Sequence, residues 1–161
     1  MLIGICSDSH DHVENLEKAA AVFKERNVDK VIHAGDYCSP FTIPLFEGLP
    51  LEGIFGNNDG DRYTLMKKFD EIGAQLHGDF HSFRVKKLRI GVYHGTYAEI
   101  TESLEKSGMY DIVISGHTHQ AGVETVGNTI SINPGSVHGF NQDAMIAFLE
   151  TESRNVEFVE V

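Results

Sequence analysis

Leu2-Ile3-Gly4-Ile5-Cys6-Ser7-Asp8-Ser9-His10 opens the chain with an apolar run that stops at polar, metal-capable side chains. The run suits a buried strand, and the Asp8-x-His10 stretch suits the loop that leaves it. The same transition recurs. Lys30–Ala34 runs into Gly35-Asp36, Gly53–Phe55 into Gly56-Asn57-Asn58-Asp59, Ile90–Tyr93 into His94-Gly95, and Ile112–Ser115 into Gly116-His117-Thr118-His119. Helical patterns lie between these runs. Val13, Leu16, Ala20 and Phe23 share one helical face after the first run. Asp61 can cap a helix whose buried face is Leu65, Met66, Phe69 and Ile72, and another helix near Ala98–Lys106 leads into the fifth strand. Strand–helix alternation predicts βαβ units.

The tail has a different rhythm. Phe80–Val85 and Leu88–Tyr93 flank Lys86-Lys87, and Gly122–Val126 and Thr129–Asn133 flank Gly127-Asn128, so both pairs read as hairpins. Ala144–Glu150 and Val156–Val159 add two more strand patterns. Antiparallel strands therefore join an α/β core. The 161 residues suit a single domain, 1–161, by the rule of ~150 residues per domain.

Composition narrows the partners. With 13 Lys+Arg against 24 Asp+Glu, the formal charge is −11, which disfavours nucleic acid and anionic membranes as partners. The basic group Arg84, Lys86, Lys87 and Arg89 falls at a hairpin tip and reads as a solvated turn. Apolar runs fall far short of the ~20 residues needed to span a bilayer. Leu2–Cys6 meets Asp8 too soon for a cleaved leader. Cys6 and Cys38 have no CxxC spacing, as expected of small unpaired thiols in a reducing cytoplasm.

In open α/β sheets, ligands bind beyond the carboxyl ends of the strands. Here those ends deliver Asp8, His10, Asp36, Asn57, His94, His117 and His119 to one rim. Carboxylate and amide oxygens with imidazole nitrogens suit borderline divalent metals. Asp8 and His10, like His117 and His119, are two residues apart, which in extended backbone puts both on one side. Each motif alone has an ordinary reading: Asp8 as a helix cap, Gly35-Asp36 and Asp59-Gly60 as turns, His94 as a buried structural histidine. Their coincidence at five successive strand ends is better explained by a two-metal centre.

Together, Asp8-x-His10, Gly35-Asp36, Gly56-Asn57-Asn58-Asp59, His94-Gly95 and Gly116-His117-x-His119 resemble the signature of the calcineurin-like metallophosphoesterases. Asn133-Pro134-Gly135-Ser136 extends the resemblance to the small prokaryotic phosphodiesterase branch. The resemblance implies an α/β fold, a β-sandwich of mixed sheets flanked by helices. It assigns Asp8, His10 and His119 to one metal, Asn57, His94 and His117 to a second, and Asp36 to a bridge between them. It implies two divalent ions per chain, Mn or Ni first, with Zn, Fe and Co also suited. The implied reaction is hydrolysis of small phosphodiesters by in-line attack of a metal-bridging hydroxide. Asn58, Asp59 and His94 fall at catalytic positions, and Asn58, Asn133 and Ser136 at substrate-binding ones.

Two departures bear on catalysis. Many relatives carry His where this chain has Asn58, which cannot titrate and so cannot be a general acid. Acid catalysis is worth ~10²–10⁴-fold, so acidic, aryl-like leaving groups are expected to be favoured. His12 and His138 are alternative proton sources, although each reads more simply as an exposed loop histidine; His33, His77 and His81 read as structural. No arginine follows Asn133-Pro134-Gly135-Ser136, where some relatives have one; Gly139-Phe140-Asn141 stands there instead. The rival readings are a nuclease and a protein-interaction scaffold like the retromer subunit of this fold. That subunit does not keep the bridging carboxylate that Asp36 supplies here. A homo-oligomer is compatible with the sequence.

Overall fold

The computed structural model describes residues 1–161. Leu2–Cys6 forms β1, and its alternating side chains divide the two cores of the molecule. Ile3 and Ile5 point into a cluster with Ile32, Ile54, Ile90, Ile112 and Ile114. Cys6 points the other way, into a cluster with Leu16, Phe23, Tyr37, Phe46 and Phe69. The first cluster fills the space between two β-sheets, and the second lies between one sheet and its helices. This is the expected sandwich.

Helix α1 (Val13–Glu25), strand β2 (Lys30–His33), a 3-10 helix (Pro40–Phe46), strand β3 (Leu51–Gly53), helix α2 (Arg62–Glu71) and strand β4 (Gln75–Leu76) follow. Then come β5 (Phe80–Val85), β6 (Leu88–Tyr93), α3 (Ala98–Lys106), β7 (Ile112–Ile114), β8 (Gly122–Val126), β9 (Thr129–Asn133), β10 (Met145–Glu150) and β11 (Asn155–Glu160). One sheet has the order β11-β10-β1-β2-β3-β4 and the other β5-β6-β7-β9-β8. Helical crossovers join the parallel pairs β1–β2, β3–β4 and β6–β7. The expected hairpins β5–β6 and β8–β9 are present, and β10–β11 is a third.

Several expectations shift in detail. The third strand is Leu51–Gly53 rather than Gly53–Phe55. Ile54 and Phe55 are buried, but Phe55 N–H bonds Gly78 O instead of continuing the ladder. Asp61 caps α2 as expected, accepting from Thr64 N–H at 3.1 Å. Leu65 and Phe69 are buried while Met66 is 50% exposed, because only the i, i+4 pair of this short helix faces the core. Helix α1 is capped by His12, not Asp8: its Nδ1 accepts from Asn15 N–H at 3.3 Å. Val13, in the first turn, is 38% exposed, while Leu16, Ala20 and Phe23 are buried.

His33 ends β2 fully buried, as a structural residue should. Its ring stacks on Tyr37 with centroids 3.9 Å apart, its Nδ1 accepts from Gly35 N–H, and its Nε2 lies 3.1 Å from Ser9 Oγ. Burial pushes its pKa from 6.5 down to about 3. Between those values the unfolded chain takes up a proton that the folded protein refuses, so stability falls as pH drops through this window. The slope from one such group is about 1.4 kcal/mol per pH unit. Urea unfolding of His33→Gln in chelator at pH 7, 6 and 5 is expected to show a shallower loss than the parent. An identical pH slope in both proteins would refute this role.

Candidate metal centre

The carboxyl ends of β1, β2, β6 and β7 meet where the two sheets converge, so the centre sits at the shared end of a sandwich. Within each sheet the loops are tied to their neighbours. Asp8 N–H bonds Gly35 O at 3.0 Å, His10 N–H bonds Asp36 O at 3.1 Å, and Gly116 N–H bonds His94 O at 2.8 Å. Across the two sheets, His94 Nδ1 lies 2.8 Å from Ala34 O. Donation from Nδ1 to that carbonyl leaves Nε2 as a bare acceptor turned to the centre.

The chemistry-bearing atoms converge there. Asp8 and Asp36 are 0% and 1% exposed, and His94 is 1% exposed. His94 Nε2 lies 3.3 Å from Asp36 Oδ2 and 4.0 Å from Asp8 Oδ1. His10 Nε2 lies 3.5 Å from Asp36 Oδ2, and His119 Nε2 3.2 Å from Asp8 Oδ1. The rings of His94 and His117 meet edge to face at 5.3 Å. Asn57 stands at the outer side, its Oδ1 accepting from Thr96 Oγ1 at 3.4 Å.

Asp8 Oδ1, His10 Nε2 and His94 Nε2 are buried without hydrogen-bond partners. Buried acceptors of this kind, facing one another, are costly unless a cation or proton lies among them. Asp8, Asp36 and His94 form one group able to hold a metal, and His10, His119 and His138 form another. A mixed carboxylate–imidazole set fits a divalent transition metal. With no metal at the centre, burial opposes ionisation of Asp36, but a proton carried by His94 and the Asn58 donors outweigh it and hold the carboxyl well below its usual range. Asp8 is likewise lowered against burial, by His10 and Ser7 first.

Backbone geometry achieves this convergence differently from the extended spacing expected. Asp8, His10, Asp36, His117 and His119 have φ of 54°, 42°, 60°, 67° and 61°. The left-handed conformation costs a non-glycine residue about 1–2 kcal/mol, and such strain gathers at functional sites. Two glycines leave the room. A Cβ on Gly56 would collide with Asp36 Oδ1 and lie 2.5 Å from its N, and one on Gly116 would collide with Ser7 Oγ and lie 2.6 Å from Asp8 Oδ2.

Other expected site residues are placed otherwise. Asn58 donates its N–H to Asp36 Oδ1 at 2.8 Å and its Nδ2–H to Asp36 Oδ2 at 2.7 Å, so its amide orients this carboxylate. Asp59 is buried with both oxygens occupied, accepting from Gly56 and Asp36 N–H and from Cys38 N–H. It is a clasp between two loops rather than a group facing reactants. Asn133 donates to Gly116 O and Thr118 Oγ1 and accepts from Gly135 N–H. Ser136 is fully buried, with Oγ 3.4 Å from Asp8 O. Neither Asn133 nor Ser136 offers a free donor to substrate, because the turn they build consumes their polar atoms.

His138 is no loose loop histidine: its ring lies 4.8 Å from His10 and 4.7 Å from His119. Burial, with His10 and His119 facing it, pushes its pKa down to about 4. His77 and His81 stack in parallel 3.5 Å apart, their Nε2 atoms 3.4 and 3.1 Å from Glu52 Oε2. An imidazole lone pair lies in its ring plane, so two parallel rings cannot both aim at one ion without turning. Burial pushes the half-exposed Cys38 up to about 12, keeping it a thiol, with Sγ 3.3 Å from His10 Nδ1. Thr96 and Tyr97, just past His94-Gly95, went unread in the sequence; their position at a strand end was the available signal.

Comparison with known proteins agrees with this geometry. The description Calcineurin-like phosphoesterase superfamily domain matches residues 1–154. Phosphodiesterase MJ0936 of Methanocaldococcus jannaschii is 40% identical over 158 residues, spanning 96% of this chain and 95% of its own. A solved structure of a novel archaeal phosphodiesterase superposes with a TM-score of 0.95 at 38% identity over 100% of both chains. Wild-type Vps29 of Entamoeba histolytica complexed with Zn²⁺ shares the fold, with a TM-score of 0.67 and 19% identity over 100% of this chain and 98% of its own. By its fold, its strand-end motifs and its match along nearly its whole length, the chain belongs to the calcineurin-like phosphoesterase superfamily.

Proposed function

We propose that this chain is a binuclear metal-dependent phosphodiesterase acting on small phosphodiesters. The observation that carries the reading is the set of partnerless buried atoms on Asp8, His10 and His94, which face one another beside Asp36. Asp8, His10 and His119 would hold one ion and Asn57, His94 and His117 the other, with Asp36 shared between them. The ions, when bound, supply Lewis acidity toward phosphoryl oxygens and an acidified water as nucleophile. Asn58 keeps the Asp36 carboxylate in orientation, and the Asp59 clasp keeps the Asp36 and Gly56 loops together. His94 keeps its Nε2 free by donating from Nδ1. The full-length similarity to a phosphodiesterase supports a diester substrate. Two unpaired thiols are consistent with a reducing cytoplasm, and no helix is long and apolar enough to cross a membrane.

Asn58 offers no proton to a leaving alkoxide, so poor leaving groups are penalised. Metal-stripped protein, assayed with matched aryl monoesters, aryl diesters and alkyl esters while Mn, Ni, Zn, Fe or Co is restored, is the test. Aryl diester turnover is expected to return with metal, Mn or Ni first, and alkyl esters to trail by about 10²-fold or more. Alkyl monoesters hydrolysed as fast as aryl diesters would overturn the assignment. Absence of any hydrolysis, with metal bound, would favour the scaffold reading.

A further inference from the structure

A groove of about 410 Å³ opens beside the candidate centre on the side of His94 and Asn57. Phe55, Tyr93, Tyr97 and Ile100 give it an apolar lining, and Arg62 and Asp79 a charged wall. Tyr97 is 63% exposed, and its backbone N–H donates to Tyr93 Oη at 3.2 Å, which fixes the main chain from which its ring projects. The Arg62 guanidinium lies 4.6 Å over the Phe55 ring and pairs with Asp79 at 2.8 Å. That pairing engages Arg62 along the wall and away from a phosphate role. On the opposite side, beyond His10 and His119, a wider space of about 620 Å³ is walled mainly by the rings of His10, His12, His119 and His138, with Phe140 its one hydrocarbon side chain.

A phosphodiester sends two arms away from phosphorus, and this centre has one groove on each side. The grooves differ in their side chains: Phe55, Tyr93, Tyr97 and Ile100 line the one beside His94, and histidines the one beyond His10. We infer that the groove beside His94 is the subsite for a flat aromatic ester arm, stacked on Tyr97 with its polar edge toward the Arg62–Asp79 pair. The inference rests on the phosphodiesterase reading and deepens it by naming the class of arm. Aromatic rings pair favourably with exposed aromatic faces, and a groove of this size accepts one ring system. A monoester would leave one groove empty.

Phenylphosphonate and methylphosphonate present the same PO₃ group, and their C–P bonds are not esters, so their affinities for the metal-loaded protein isolate the arm. By calorimetry, phenylphosphonate is expected to bind about twofold to tenfold tighter. Tyr97→Ala should bring the ratio close to one, Tyr97→Phe should keep it, and Phe140→Ala in the opposite groove should leave it unchanged. A full ratio in Tyr97→Ala, or its loss in Phe140→Ala, overturns the subsite. Methylphosphonate binding and diester hydrolysis without any phenyl preference overturn the subsite alone. Failure of both phosphonates to bind, together with no diester hydrolysis, overturns the phosphodiesterase reading beneath it.

Discussion

Replacing Asp36 with alanine is expected to lower phosphodiester hydrolysis by about a thousandfold or more and to reduce the bound metal. Asp36 is the one carboxylate within 3.5 Å of both His10 Nε2 and His94 Nε2. It is almost wholly buried, and both of its oxygens are oriented by Asn58. Losing it removes the negative charge that would sit between two cations. Metal-ion catalysis supplies several kcal/mol of transition-state stabilisation, and each ~1.4 kcal/mol is a decade in rate. Asp36→Asn keeps the side-chain shape while discarding the charge, so it separates loss of chemistry from loss of fold. Retention of full metal content and turnover in either variant would remove Asp36 from the centre.

The second large effect is steric. Gly56→Ala drives a methyl group into the Asp36 carboxylate and against the Asp36 backbone, whose N lies 2.5 Å from the added Cβ. Backbone cannot swing aside as a flexible side-chain tip can. Overpacking of this kind costs about 1–3 kcal/mol of stability. A displacement near 1 Å at a reacting centre costs about 10²-fold in rate, so activity should fall further than stability suggests. Gly60→Ala, four residues on, meets nothing within 4 Å and should be nearly silent by thermal melt and by turnover. Equal behaviour of the two variants would show that the Gly56 contact does not position Asp36.

The site was more legible than the elements around it. The metal-capable residues could be read because they follow short apolar runs, and a strand end is a fixed place in a fold. The boundary of β3 was not readable, because Glu52 at its centre breaks the apolar run while Ile54 and Phe55 beyond it are buried off the ladder. Strand β4 is two residues long, too short for any period, and Pro40 and Pro44 masked the 3-10 helix as loop. Motif spacing also could not say where Asn133, Ser136 and Asp59 spend their polar atoms. Those atoms serve backbone groups brought close only by the fold, such as Gly116 O for Asn133 and Cys38 N–H for Asp59. The same limit hid His138, which tertiary packing sets against His10 and His119.

The most direct test is a stoichiometric titration of metal-stripped protein with Mn or Ni, followed by hydrolysis of an aryl phosphodiester at each step. The expected result is an absence of turnover without metal, and a rise that levels off at two equivalents per chain. Turnover in the stripped protein, or a plateau at one equivalent, would contradict a two-metal phosphodiesterase.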